Sequence, residues 1–141
     1  MMLSYFPDFG YTATLLADGR VLFVGSDDLD GVDYQTYDPT AGTFASIGSR
    51  LRVISPLVTR LTDGAVLIAG GQLLGGSGSR DAELFVPSSD TLEYAGAMTV
   101  GRQSFTATAL PDNTVLITGG YGVWSHPNPQ VLSSAEVYKP Q

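Results

Sequence analysis

One segment occurs three times in this chain, and that repeat limits it to architectures in which a single supersecondary unit is stacked on itself. Residues 12–25 (TATLLADGRVLFVG), 57–70 (LVTRLTDGAVLIAG) and 106–119 (TATALPDNTVLITG) align without a gap. Their equivalent aspartates, Asp18, Asp63 and Asp112, lie 45 and 49 residues apart. Chance does not produce three such alignments in one short chain.

Each copy reads as a β-hairpin, because Asp18-Gly19, Asp63-Gly64 and Asp112-Asn113 supply the positive φ angles that a tight turn between right-twisted strands requires. The strand after each turn, residues 21–24, 66–69 and 115–118, is apolar at consecutive positions, so both of its faces must be covered. A propeller blade meets that demand, since it is sandwiched between two neighbours. Next come Gly25-Ser26, Gly70-Gly71 and Gly119-Gly120, where a missing side chain permits unusual backbone angles or the close approach of another strand. A third strand follows a variable loop, at 35–39, 83–87 and 136–140, and each copy ends in proline. Repeats one and two continue into an outer fourth strand, 43–47 and 91–95, whereas repeat three reaches Gln141 before one.

The expected fold is therefore all-β. It is a single domain, 1–141, of three four-stranded blades spanning about 11–47, 54–96 and 103–141, the last lacking its outer strand: a partial β-propeller or half-ring. Composition agrees, with 43% apolar and 15% charged residues and with 17 glycines and 8 prolines spread along the whole chain, which is globular and rich in turns. No segment repeats its apolar residues at helical spacing.

Composition also excludes chemistry. Fourteen acidic residues against seven basic ones give a net charge of −7, which repels phosphate backbones and anionic lipid, so neither nucleic acid nor membrane is an expected partner. With no cysteine there is no disulfide, zinc thiolate or thiol nucleophile. No run of eighteen apolar residues and no basic-then-apolar start occurs, so the chain reads as soluble and without an export signal. Its compartment stays open, although the composition would suit a bacterial secreted or cell-surface protein.

The glycine pair after an apolar strand, the aromatic-x-Pro third strand and the aromatic outer strand together resemble the Kelch-repeat family. The bacterial form is especially similar, in Thr-Ala-Thr-Leu-Leu at 12–16 and Asp-Gly-x-Val-Leu at 18–22, and the period is close to the roughly 50 residues of a Kelch blade. The resemblance covers most of the chain. It implies a radial array of four-stranded blades around a channel, as in the propeller domain of galactose-oxidase-like proteins, used mostly for protein binding and in some members for enzymatic work. The departures are Ser26 in place of the second glycine, Phe44 and Leu92 where tryptophan is common, and the missing last strand.

Three blades leave two apolar faces without a neighbour in the chain. Three arrangements would satisfy them: the rest of a longer propeller, a second copy closing a six-blade homodimer, or a compact shortened fold. The apolar segment 2–6 is a candidate for the missing outer strand of the third blade, its alternative being a frayed terminus.

Variable loops on a rigid repeat carry binding, and here they lengthen along the chain. The longest holds Tyr121, Trp124 and His126, an aromatic platform beside a polar ring that suits a sugar or a proline-rich peptide. The competing reading has Trp124 sealing an inter-blade gap and His126 solvated. Arg50, Arg52 and Arg102 precede inner strands near the channel mouth, where they would bind a carboxylate, as sialic-acid-processing propellers suggest, or pair with acids between blades. Asp27, Asp28, Asp30 and Asp33 offer calcium several hard oxygens but lack the spacing of a calcium loop, so a solvated acidic loop is the better reading.

For catalysis the inventory is poor. No Ser-His-Asp ordering is evident, one histidine cannot build a multi-histidine metal site, and copper oxidases on this propeller need a cysteine. The glycine-rich Gly75-Gly76-Ser77-Gly78 lacks the lysine of a phosphate loop. No cofactor is expected. The leading expectation is a non-catalytic binding or scaffold module acting through its inter-strand loops, and the alternative is a fragment or half-ring of a carbohydrate-active propeller enzyme, of sialic-acid- or galactose-processing type.

Overall fold

The turn residues set the fold. Leu16, Leu61 and Leu110 each accept a hydrogen bond from the amide of the residue three further on, and each donates its own amide to the carbonyl four further on. Gly19, Gly64 and Asn113 have φ of 90°, 94° and 66°. These are three copies of a three-residue hairpin loop with a left-handed residue at its end. Only that last residue is left-handed. The aspartate before it pins the loop instead, for Asp18, Asp63 and Asp112 each accept, through Oδ1, the amide two residues on, at 3.0, 3.0 and 3.1 Å.

The computed structural model describes residues 11–26, 32–49, 51–123 and 127–140. Among them the chain is all-β, eleven strands without a helix, in three antiparallel sheets that do not close into a ring. The first blade is β1 (Thr12–Leu15), β2 (Val21–Ser26), β3 (Val32–Asp38) and β4 (Thr43–Ser49), paired in that order. The second is β5 (Leu57–Arg60), β6 (Val66–Ala69), β7 (Ser79–Val86) and β8 (Thr91–Arg102), and the third is β9 (Thr106–Ala109), β10 (Val115–Thr118) and β11 (Ala135–Tyr138). The third sheet has three strands among the described residues, and residues 1–10, including the 2–6 segment expected as a donor strand, lie outside them.

The outer strands run further than expected from the sequence. Beyond 47 and 95 the chain passes through Gly48 and Gly96, with φ of 121° and 92°, and stays paired across a register shift in each blade. An extra residue on one strand bends it and increases its twist, which carries the chain toward the next blade.

Apolar strands without alternation do become two-faced burial, but only in the middle blade. Val66, Leu67, Ile68 and Ala69 of β6 are all fully buried, whereas β2 and β10 alternate between buried and half-buried positions. Leu22 and Val24 of β2 and Leu16 pack with Val66, Ile68 and Phe85 between blades one and two. Leu61, Leu67 and Ala69 pack with Val115, Ile117 and Tyr138 between blades two and three. The outward faces of blades one and three have no neighbour among the described residues.

The glycine pairs let the blade-to-blade crossovers press onto the sheet. A Cβ on Gly71 would stand 2.8 Å from the Ile54 carbonyl oxygen, and one on the equivalent Gly120 would stand 2.6 Å from that of Gln103, with both glycines at positive φ. The crossovers share one geometry, because Ser55 and Ser104 turn left-handed at φ of 51° and 50°.

Candidate functional site

The β6–β7 loop and the described parts of the β10–β11 loop and of the two crossovers lie at one end of the blades, where the strand order brings them together. In the second and third blades they form a hydrogen-bonded surface. Ile54 and Gln72 exchange amide-to-carbonyl bonds of 2.8 and 2.9 Å, and Gln103 and Tyr121 repeat this at 3.0 and 2.9 Å. The two loops then join, since the Gly78 amide donates to the Gly122 carbonyl at 2.6 Å and Ser77 bridges Val123. Within the longer loop, Tyr121 also bridges Val131, and Gly122 donates to Gln130.

One side chain fastens this surface from beneath. Gln103 is buried, and its Nε2 donates to the Gly76 carbonyl at 2.7 Å, closing the turn at 73–76 onto the crossover of the next blade. Three apolar side chains of these loops are exposed among the described residues: Leu74 is 73% exposed, Val131 69% and Val123 40%. Such groups on a backbone already fixed by hydrogen bonds lose little further freedom on binding.

The residues expected from the sequence to form a site divide. Tyr121 is half-buried and serves the network through its backbone, and Arg52 is exposed beside the crossover. Arg102 is 1% exposed, so the pairing role is the one its geometry realises. Its Nη1 donates to the carbonyls of Gly119 and Ser134 at 2.8 and 3.1 Å, and its Nη2 to the Ser134 hydroxyl at 2.8 Å. Arg102 Nε stands 3.6 Å from Glu136 Oε1, and neither buried atom has a hydrogen-bond partner. Glu136 Oε2 accepts the Thr99 amide at 2.9 Å. At the preceding seam the equivalent acid, Glu83, accepts from the buried Tyr34 hydroxyl at 2.8 Å. Arg50, Trp124, His126, Asp27, Asp28 and Asp30 lie outside the described residues. Asp33 accepts from Gln35 Nε2 at 2.8 Å, and no group of three potential metal ligands occurs among the described residues.

The hairpin end is held differently. Arg20 binds Asp18 at 2.8 Å and reaches across the seam to Asp90 at 2.7 Å and to the Pro87 carbonyl at 2.8 Å. Its guanidinium holds the Asp18 carboxyl below the ordinary carboxylate range. Between blades two and three, Asn113 Nδ2 donates to Asp63 at 2.6 Å while its Oδ1 accepts from the Thr62 hydroxyl. A groove of about 450 Å³ follows the first of these seams, lined by Asp18, Asp63, Leu84 and Pro87 among others, and it opens broadly to solvent.

Neither the Gln103 clasp nor the exposed Leu74–Val131 surface was visible in the sequence, because the pairing that creates them joins separate repeats. The repeated left-handed serine was the available signal: Ser55 and Ser104 stand at the same place before β5 and β9. No protein-family model matches the chain, and no curated protein matches it.

Proposed function

We propose that this chain is a non-catalytic binding module built from Kelch-like blades, and that its ligand surface is the loop end of blades two and three. The observation that carries the proposal is the exposure of Leu74, Val123 and Val131 on loops already fixed to one another by backbone hydrogen bonds. Exposed apolar groups on a surface held by backbone hydrogen bonds favour an extended peptide segment of a protein partner, whose apolar side chains they would cover. Arg52 at the same end adds a charge that favours an acidic residue beside that segment.

Selection of displayed peptides against the chain tests this. Enriched sequences are expected to carry apolar anchors, and Leu74→Asp and Val131→Asp are each expected to weaken binding about tenfold or more while leaving the thermal midpoint in place. Selected peptides that bind both variants as well as the parent chain would overturn the assignment of the surface. Turnover of a sialoside or galactoside by the chain would overturn the non-catalytic reading in favour of a carbohydrate-active propeller.

A further inference from the structure

The two outward faces are the two halves of an interface that the chain already makes twice. Between blades one and two, Leu16, Leu22 and Val24 pack against a face made by Ile68, Phe85 and Leu92. Between blades two and three, the equivalent Leu61, Leu67 and Ala69 pack against Ile117 and Tyr138. Counting along the repeat, the giving half recurs on the outer face of blade three as Leu110, Leu116 and Thr118, and the receiving half on the outer face of blade one as Phe23, Tyr37 and Phe44. Both halves are half-buried, with no neighbour among the described residues.

We infer that these faces join head to tail with a second copy of the chain, blade three of each protomer on blade one of the other, closing six blades. Three features support this occupant. The seam would continue an interface whose chemistry the chain specifies twice, position by position. Phe23 and Phe44 lie 5.7 Å apart and Tyr37 and Phe44 4.8 Å apart, so the receiving face is already a packed aromatic cluster. Further, Val137, at the repeat position of Leu84, is 62% exposed in the single chain although Leu84 packs in an internal seam, and Leu15, 61% exposed, is an apolar residue where the exposed Arg60 reaches across its seam to a backbone carbonyl. A twofold pair of this kind uses the seam twice and leaves no end.

Light scattering on the purified chain gives the first reading. Twice the 14.8 kDa chain mass is expected; a monomer, or a ladder of higher masses from open head-to-tail growth, would overturn the inference. Leu15→Asp and Val137→Asp spoil one half each at positions too exposed to matter for folding of the single chain. Either variant alone is expected to dissociate about 30-fold more readily or worse, with the same thermal midpoint at low concentration. Mixed, they retain one seam with both halves intact and are expected to form a heterodimer. Pairing of like faces would leave one variant dimeric by itself, and that result would overturn the head-to-tail arrangement. The loop-end peptide site is untouched by both substitutions, so failure here is distinguishable from failure of the binding function.

Discussion

A methyl group on Gly120 would meet the Gln103 carbonyl at 2.6 Å in a backbone conformation that L residues rarely adopt, so neither a rotamer change nor a small shift relieves it. Gly120→Ala is expected to cost about 2–4 kcal/mol, read from the urea midpoint. Arg102 illustrates a different limit. Arg102→Met strands the Glu136 carboxylate in the seam and takes the donor from the Gly119 carbonyl and the Ser134 hydroxyl, at about 3–5 kcal/mol, whereas Arg102→Met with Glu136→Met is expected to regain most of that loss. Tyr138 supplies a pH signature: burial, with Tyr94 and Glu136 adding repulsion, pushes its hydroxyl up to about 12. The unfolded chain then ionises first. Stability is fully present below pH 10, the ordinary tyrosine value, and is lost as pH rises through the folded value. Alkaline denaturation followed by phenolate absorbance is expected to show this loss, and Tyr138→Phe is expected to remove it. At this scale the sequence was partly legible. Turn aspartates and glycine pairs announce themselves because their roles are local, while Arg102 could face a channel or a seam, and only the strand lying across it decides.

Strands and turns were the most legible level, for the reason that their signals repeat. The hairpins and the apolar strands stand where periodicity and turn chemistry place them, the third strands β3 and β7 begin three and four residues earlier than the sequence suggests, and the third sheet stops at three strands among the described residues. The outer strands were underestimated because a glycine reads as a strand end, while Gly48 and Gly96 sit at register shifts inside paired strands. Asn113 links element to element. It occupies the left-handed turn position, where glycine serves in the other two hairpins, and its side chain clasps Asp63 and Thr62 of the preceding blade. Asn113→Gly preserves the turn and removes the clasp, so a loss of about 1 kcal/mol is expected. Thermal denaturation against Gly19→Asn, which makes the reverse exchange in blade one, would isolate the seam contribution.

Across the whole molecule, burial is uneven among equivalent positions. Leu67 of β6 is fully buried in the middle blade and Leu116 of β10 is half-buried at the end. Leu67→Ala is accordingly expected to cost about 2–5 kcal/mol, and Leu116→Ala less than half as much at low protein concentration, the gap narrowing in urea titrations at concentrations where the two copies pair. The blade is thus written in the order of the amino acids: its strand count, its turns and its demand for cover on two faces each follow from residues close together in a unit repeated three times. The rest came from stacking. Which face is covered, which arginine is a rivet, and which loop residues stand clear depend on contacts between repeats, and those arise only when the blades come together.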